Sequence, residues 1–477
     1  MLGFNPSIPT FVAKIHFMYI QQIYTACLAQ ASYYIESNGE AAIIDPLRDY
    51  HQYIDLATSR TAKIKYVFET HFHADFVSGH IDLAAETDAT IVFGPKTQTG
   101  YTSYVATDGE ELKVGNITIQ VLHTPGHTPE STCYLLKDEQ GKPHCVFTGD
   151  TLFVGDVGRP DLLDGLMSKE ELAGMMYDSL RNTLMPLPDD LIVYPAHGAG
   201  SACGKNIGKE TFSTIGEQKQ SNYALQQMSR DQFIQTITEG IAPAPAYFFK
   251  DAKLNKQGYA AFSSVIKIGL SELTIADFEA AIRNGATVLD TRIPDVFEQG
   301  FIKGAINIGI NGQFAIWAAT VLDIHQPIVI IAEPGTEQES VERLTRVGFD
   351  QIRGFLSGGF EAWKNANKRY DMVISIDTEE FELDAKHTDI TILDVRKTGE
   401  WNSGHLSKAK HLPLDSLAKD YTQLNPDDEY LIYCGGGYRS MIAASLLKSK
   451  GFERVKNVYG GYAAIKELKL DFTKPKQ

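Results

Sequence analysis

The chain repeats itself. The stretch "VLDTRIPDVFEQGFIKGAINIGI", from Val288, aligns without a gap on "ILDVRKTGEWNSGHLSKAKHLPL", from Ile392, at an offset of 104 residues. Asp290 meets Asp394, Arg292 meets Arg396, and Ala305 meets Ala409. Further on, "VGFDQIRGFLSGGFEAW" echoes "KGFERVKNVYGGYAAI". A period of about 100 residues is too long for a stacked solenoid unit. The C-terminal part is therefore expected to be two copies of a small α/β domain, over residues 265–370 and 375–477. The rest, residues 1–258, must form its own core, because 477 residues exceed what one core supports. "GIAPAPAYFFKDAKLNKQG" separates the two parts and reads as a linker or domain end.

Bulk properties narrow the class of protein. The chain is 43% hydrophobic and 22% charged, as in soluble globular proteins. No apolar run approaches the roughly 20 residues of a membrane span. "MLGFNPSIPTFVAK" lacks the charged and apolar regions of a secretory signal. A net charge of −16 argues against nucleic acid or an anionic membrane as main partner. The five cysteines are odd in number and scattered, so a reducing, cytoplasmic compartment is expected, with any important cysteine acting as a thiol.

Before the linker, short β-rich runs end at polar residues: "EAAIIDP", "IKYVFETH", "ITIQVLHTPGH", "HCVFTGD" and "DDLIVYPAHG". In each, a strand delivers His or Asp to a loop at its C-terminal end, a rigid way to build a site. "SKEELAGMMYDSLRNTL" opens with Ser168 and Glu171, a capping box, and reads as a helix. Four loops can converge. They carry His71, His73 and Asp75; His127; Asp150; and His197. Imidazole and carboxylate donors suit Zn and non-haem Fe.

The order HxHxD, GHT, TGD, AHG resembles the metallo-β-lactamase fold, an αββα sandwich, over roughly residues 10–250. In the two-metal hydrolases of that fold, the Asp and final His of HxHxDH hold the second ion with the distal His. Phe76 stands at that final His and cannot ligate. A single-ion site remains, with His71, His127 and Asp150 as candidates. Two His and one carboxylate form the facial pattern of Fe(II) oxygenases. "THFHADFVSGH", "TPGHTPEST", "FTGDTLFVGDVGRPDL" and "YPAHGAGS" together resemble the persulfide dioxygenase branch. That resemblance implies one Fe(II) per chain on His71, His127 and Asp150, with His73, Asp75 and His197 orienting ligands or binding water. Arg159, in "GDVGRPDL", reads either as a cation near the pocket or as a turn-stabilising residue. Tyr194 carries the same ambiguity. Cys203, six residues after His197, is a candidate sulfur relay or an ordinary loop cysteine. Cys27, Cys133 and Cys145 lie in apolar runs and are expected in the core.

"YLIYCGGGYRSMIAASLLKSKGF" reads as a strand, a Gly-rich loop and a helix. Cys434 ends the strand, and Gly435, Gly436, Gly437, Tyr438, Arg439 and Ser440 follow. Backbone N–H groups and the helix N-terminus can surround the sulfur and favour a thiolate or persulfide anion. The segment is similar to rhodanese sulfurtransferases; its C-x4-R loop is one residue shorter than the related phosphatase cradle. The first copy has "IVIIAEPGTEQES" there, with Ala332 or Glu333 in place of the cysteine. It is a degenerate rhodanese-like domain, a spacer or docking element.

Nearly the whole chain resembles persulfide dioxygenase–rhodanese fusion proteins of bacterial sulfide detoxification. The resemblance implies oxidation of a low-molecular-weight thiol persulfide by O2 to sulfite. It also implies thiosulfate formation from sulfite at a Cys434 persulfide, in a dimer or tetramer. Two other readings compete: a zinc thioester hydrolase of the glyoxalase II kind fused to a rhodanese, and a sulfur carrier or redox sensor with a vestigial metal site.

Overall fold

The computed structural model describes residues 18–163 and 166–473. The N-terminal stretch read for a secretory signal lies outside the described residues. Two six-stranded sheets build the first domain. One runs in simple chain order from strand Tyr19–Thr25 to strand Tyr104–Val105, the other from Glu111–Val114 to Ser213–Thr214. Side-chain alternation along the strands explains the sandwich. Tyr33, Ile35, Ala42 and Ile44 of the first sheet meet Tyr134, Leu136, Cys145 and Phe147 of the second in one buried cluster. The intervening Tyr34, Ala41 and Ile43 face outward, onto Tyr53 and Leu83 of helices His51–Arg60 and His80–Thr87. On the other side, Cys133, Leu135 and Val146 meet Met176 and Phe233 of helices Lys169–Ser179 and Arg230–Thr238. The layers are αββα. The Ser168–Glu171 capping box is present.

The two repeats form five-stranded sheets of equivalent order, with every pairing parallel. Asp290 pairs with Ile331 in one, and Asp394 with Tyr433 in the other. The residue after Tyr433 is Cys434, so its counterpart is Ala332. The repeated D-x-R has a structural explanation. Arg292 donates to both Asp290 oxygens and to Gly300 O (2.8 Å), and Arg396 does the same to Asp394 and Gly404 O (2.9 Å). Each buried pair locks the turn leaving its strand.

The expected linker is an interface element. Helix Phe248–Gln257 buries Phe248, Asp251 and Asn255. One apolar cluster includes Phe76, Phe153 and Tyr247 of the first part, Phe301 and Phe314 of the first repeat, and Ile432 and Met441 of the second. Cys133 and Cys145 are core residues as expected. Cys27 is not: it is half-buried, with Arg346 Nη1 3.8 Å from its sulfur.

Asp394→Ala should cost about 3–5 kcal/mol by stranding the buried Arg396 charge. In denaturant unfolding, the double variant Asp394→Leu/Arg396→Met should recover most of that loss. An unrecovered double variant would mean that the pair acts through something other than charge burial.

Candidate active sites

The four loops converge as their strand ends require. One nitrogen each from His71 and His127 and an oxygen of Asp150 lie within 4.8 Å of one another. His127 Nε2 is 3.4 Å from Asp150 Oδ2, and His71 Nε2 is 3.9 Å from it. These two nitrogens and both Asp150 oxygens are buried with no hydrogen-bond partner among the described residues. Buried polar atoms are rarely left so, and the opposite ring nitrogens show what they await. The Thr70 hydroxyl donates to Asp45 Oδ2 (2.8 Å), so it accepts from His71 Nδ1 (3.0 Å). His127 Nδ1 donates to Arg159 O (2.8 Å). Both Nε2 lone pairs are thereby aimed at the Asp150 carboxylate. Burial holds His71 well below the ordinary imidazole range, helped by the neighbouring imidazoles, and lowers His127 despite Asp150. Two neutral imidazoles and a carboxylate with unused lone pairs fit one divalent ion of the Zn or Fe kind.

His73 is turned away from that trio. Its Nε2 lies 3.1 Å from Asp45 Oδ1 and 3.7 Å from Glu69 Oε2. Burial opposes its charge, yet Asp45 and Glu69 outweigh it and lift His73 to about 9. His73 also falls in a second close group with Asp75 and His197, and neither of its ring nitrogens has a hydrogen-bond partner among the described residues. His197 Nε2 sits 3.5 Å from both Asp75 Oδ2 and Asp150 Oδ1. Phe76 is fully buried with its ring 4.3 Å from that of His73, so no donor stands there. Cys203 is buried within reach of Asp150 and His197. Burial pushes its thiol well up, and Asp75 and Asp150 add to the shift.

Arg159 and Tyr194, each open to two readings in the sequence, have these surroundings. The Arg159 guanidinium binds Asp161 (2.6 and 2.8 Å) and the carbonyls of Ala202 (3.2 Å) and Ala242 (2.6 Å). It is a loop tie, and its own carbonyl orients His127. The Tyr194 ring, partly buried, stacks on Phe147 at 5.5 Å and packs against the inter-sheet core. Sequence reasoning missed Asp45, Thr70 and Asn255. Asp45 ends "EAAIID" as the ligand-bearing strands end and could have been found by that signal. Asn255 had none.

The second site lies at the start of helix Tyr438–Ser449. Cys434 Sγ accepts from Gly437 N–H (3.1 Å); the Ser440 oxygen lies 3.5 Å from the sulfur, with its hydroxyl donating to Asn457 Oδ1 (2.6 Å). Gly437 has φ +108°, which a glycine adopts without strain. Gly461 lies so close to the loop that a Cβ would come within 2.4 Å of Cys434 O, and Tyr462 N donates to that oxygen at 2.6 Å. Arg439 is clamped by Glu400 (2.6 and 2.8 Å), which holds the Glu400 carboxyl below its usual range. A cavity of about 390 Å³ opens above the sulfur. Lys397, Glu400, Tyr438 and Arg439 line it, together with Gln313 and Trp317 of the first repeat. Tyr438 is tied to the first repeat through its hydroxyl, which donates to Gly309 O at 2.7 Å.

Comparison with known proteins agrees with this architecture. Residues 25–197 match the metallo-β-lactamase superfamily, and residues 274–366 and 377–468 each match the rhodanese-like domain. A metallo-β-lactamase structure from Staphylococcus aureus subsp. aureus COL is 33% identical, covering 71% of this chain and 98% of that one, with a TM-score of 0.62. The structure of ETHE1 from Myxococcus xanthus is 30% identical over 50% of this chain and 99% of that one, with a TM-score of 0.44. A probable hydroxyacylglutathione hydrolase, glo2 of Schizosaccharomyces pombe, is 35% identical over 160 residues, 33% of this chain and 58% of that protein's length. The chain belongs to the metallo-β-lactamase superfamily. Its particular form is a metallo-β-lactamase-fold domain followed by two rhodanese-like domains.

Asp150→Ala should abolish stoichiometric metal binding, read by elemental analysis after dialysis; full retention would remove Asp150 from the ligand set. Gln313→Glu should raise the KM of an anionic sulfur donor or acceptor at Cys434 by about three- to tenfold at low salt, with kcat held and the effect shrinking as salt rises. An unchanged KM would place the substrate away from the first repeat.

Proposed function

We propose that the chain is a bifunctional persulfide dioxygenase and sulfurtransferase. A low-molecular-weight thiol persulfide is oxidised at one Fe(II) in the first domain: RSSH, O2 and water give RSH and sulfite. Sulfite then becomes thiosulfate at Cys434. The observation that carries the reading is the pairing of a one-ion donor set, with buried Phe76 where a second ion's ligand would stand, with a cysteine in a Gly-rich C-x4-R loop on the same chain.

The residues divide the work. His71, His127 and Asp150 would hold the ion, whose redox-active centre supplies the means of bringing persulfide sulfur and O2 together. Thr70 and the Arg159 carbonyl fix the imidazole tautomers. Asp75 and His197 stand beside Asp150 and can hold or pass a proton. At the second site, the Cys434 thiolate attacks the terminal sulfur of RSSH; the S–S bond breaks and RSH leaves. Sulfite attacks the outer sulfur of the resulting persulfide, thiosulfate departs and the thiolate returns. The Gly437 N–H donor and the N-terminus of the following helix stabilise the anionic sulfur. The proposed assembly is a homodimer or tetramer in the cytoplasm; among the described residues no helix is long and apolar enough to cross a membrane.

A second reading is favoured by the name of the glo2 relative: a zinc thioester hydrolase joined to a rhodanese. The chain spans less than two thirds of that relative, and Phe76 removes a donor that a second ion would use.

Anaerobically purified, iron-loaded protein should take up O2 rapidly on addition of glutathione or coenzyme A persulfide, with thiosulfate as product. Cys434→Ser should keep O2 uptake and stop at sulfite. No uptake, with hydrolysis of a hydroxyacyl-glutathione thioester by the zinc form, would replace the proposal with the hydrolase.

A further inference from the structure

We propose that the cysteine-free rhodanese-like repeat is a working part of the metal centre. It clamps the loop that carries His71, His73 and Asp75, and Arg346 is its positioning residue. The inference uses the metal reading only in that this loop bears a candidate ligand.

The backbone of residues 73–78 takes most of its partners from outside the sandwich. Asn255, on the interface helix Phe248–Gln257, donates to His73 O and Phe76 O (both 2.7 Å) and accepts from Ser78 N (2.9 Å). The Tyr259 hydroxyl donates to Ser78 O. Val77 N donates to Arg346 O at 2.7 Å, across to the repeat. Arg346 follows helix Glu337–Thr345, so its carbonyl is one of the helix-end acceptors with no partner inside the helix. Toward the sandwich, the Ser78 hydroxyl lies 2.6 Å from Glu69 Oε1 and 2.9 Å from Pro46 O, Gly79 N donates to Pro46 O (2.9 Å), and His73 Nε2 faces Asp45 (3.1 Å).

The helix end is itself gripped by two crossed charge pairs. Arg48, with a fully buried side chain, donates to Asp350 (2.5 Å), Thr345 O (3.0 Å) and Ala260 O (2.8 Å). Next to it, Asp49 receives Arg346 Nε (2.9 Å) and Nη2 (2.6 Å), a bidentate pair about 15% exposed on each side. Each domain thus gives one cation and one carboxylate. Bidentate, largely desolvated pairs fix geometry as well as adding energy. Phe76 completes the contact as a buried member of the apolar cluster shared with the repeat. A side chain that cannot ligate serves at that position as an anchor.

The test uses the full chain. In metal-free protein, Arg346→Ala should speed amide exchange at residues 76–79 by about tenfold, with exchange at residues 430–445 unchanged. In Co(II)-loaded protein the same variant should shift the visible absorption bands and release metal to a chelator about tenfold faster. Asp49→Asn, a milder change on the opposite side, should move all three readouts in the same direction. Arg346→Lys should restore part of the loss. Unchanged exchange, spectrum and release in both Arg346→Ala and Asp49→Asn would overturn the proposal. So would equal acceleration of exchange through all three domains, which is general loss of fold. If exchange rises at 76–79 but the parent chain binds no metal, the clamp stands and the metal reading fails.

Discussion

The Asp45 carboxylate is the constraint on which the first site depends. Fully buried, it accepts from Thr70 N and the Thr70 hydroxyl (both 2.8 Å) and lies 3.1 Å from His73 Nε2. By taking the Thr70 proton it makes that oxygen an acceptor for His71, and so chooses the tautomer that points a lone pair at Asp150. By facing His73 it draws that ring away from the trio. Three residues later the same turn supplies Arg48 and Asp49, which hold the second domain. The five residues Asp45–Asp49 therefore tie ligand orientation to domain docking. A disturbance at either end has a short covalent route to the other.

This arrangement bears on the choice between one ion and two. A second ion could draw a further donor from the loop after HxHxD. There the backbone is committed to Asn255, Tyr259 and Arg346, and Phe76 is buried among apolar side chains. A histidine at position 76 would have to desolvate a polar ring without a hydrogen-bond partner, at roughly 1–3 kcal/mol. The loop's packing and the lack of a donor at position 76 are thus two aspects of one choice of residue.

Much of this was legible in the sequence, for definable reasons. Ligand-bearing loops follow β-rich runs, so His71, His127, Asp150 and His197 could be placed at strand ends before any coordinates. The gapless repeat marked two domains of one fold, and the C-x4-R loop marked the live copy. What escaped depends on partners that carry no pattern. Arg159 is fixed by the carbonyls of Ala202 and Ala242, which any residue could offer. Tyr194 lies on a strand whose alternation turns it toward the inter-sheet core. Asn255 sits in a Pro- and Lys-containing stretch that looks like a linker, because a helix buried at a domain interface has less apolar periodicity than one on a surface.

The two repeats separate what folding requires from what chemistry requires. Both keep the Asp–Arg pair that locks the first turn, at almost the same distances. The first replaces Cys434 with Ala332, and its counterparts of Glu400 and Arg439 are Val296 and Glu337. The Glu400–Arg439 clamp is thus lost together with the cysteine. The clamp is dispensable to the fold, so its place is at the sulfur: it holds the arginine fork at the cavity edge at a fixed distance from Cys434. In the copy without sulfur chemistry, the loop and helix ends it leaves free serve docking instead, with Gly309 holding Tyr438 on one side and Arg346 holding Val77 on the other. A domain without a nucleophile can in this way remain necessary to two sites that each lie in a neighbour.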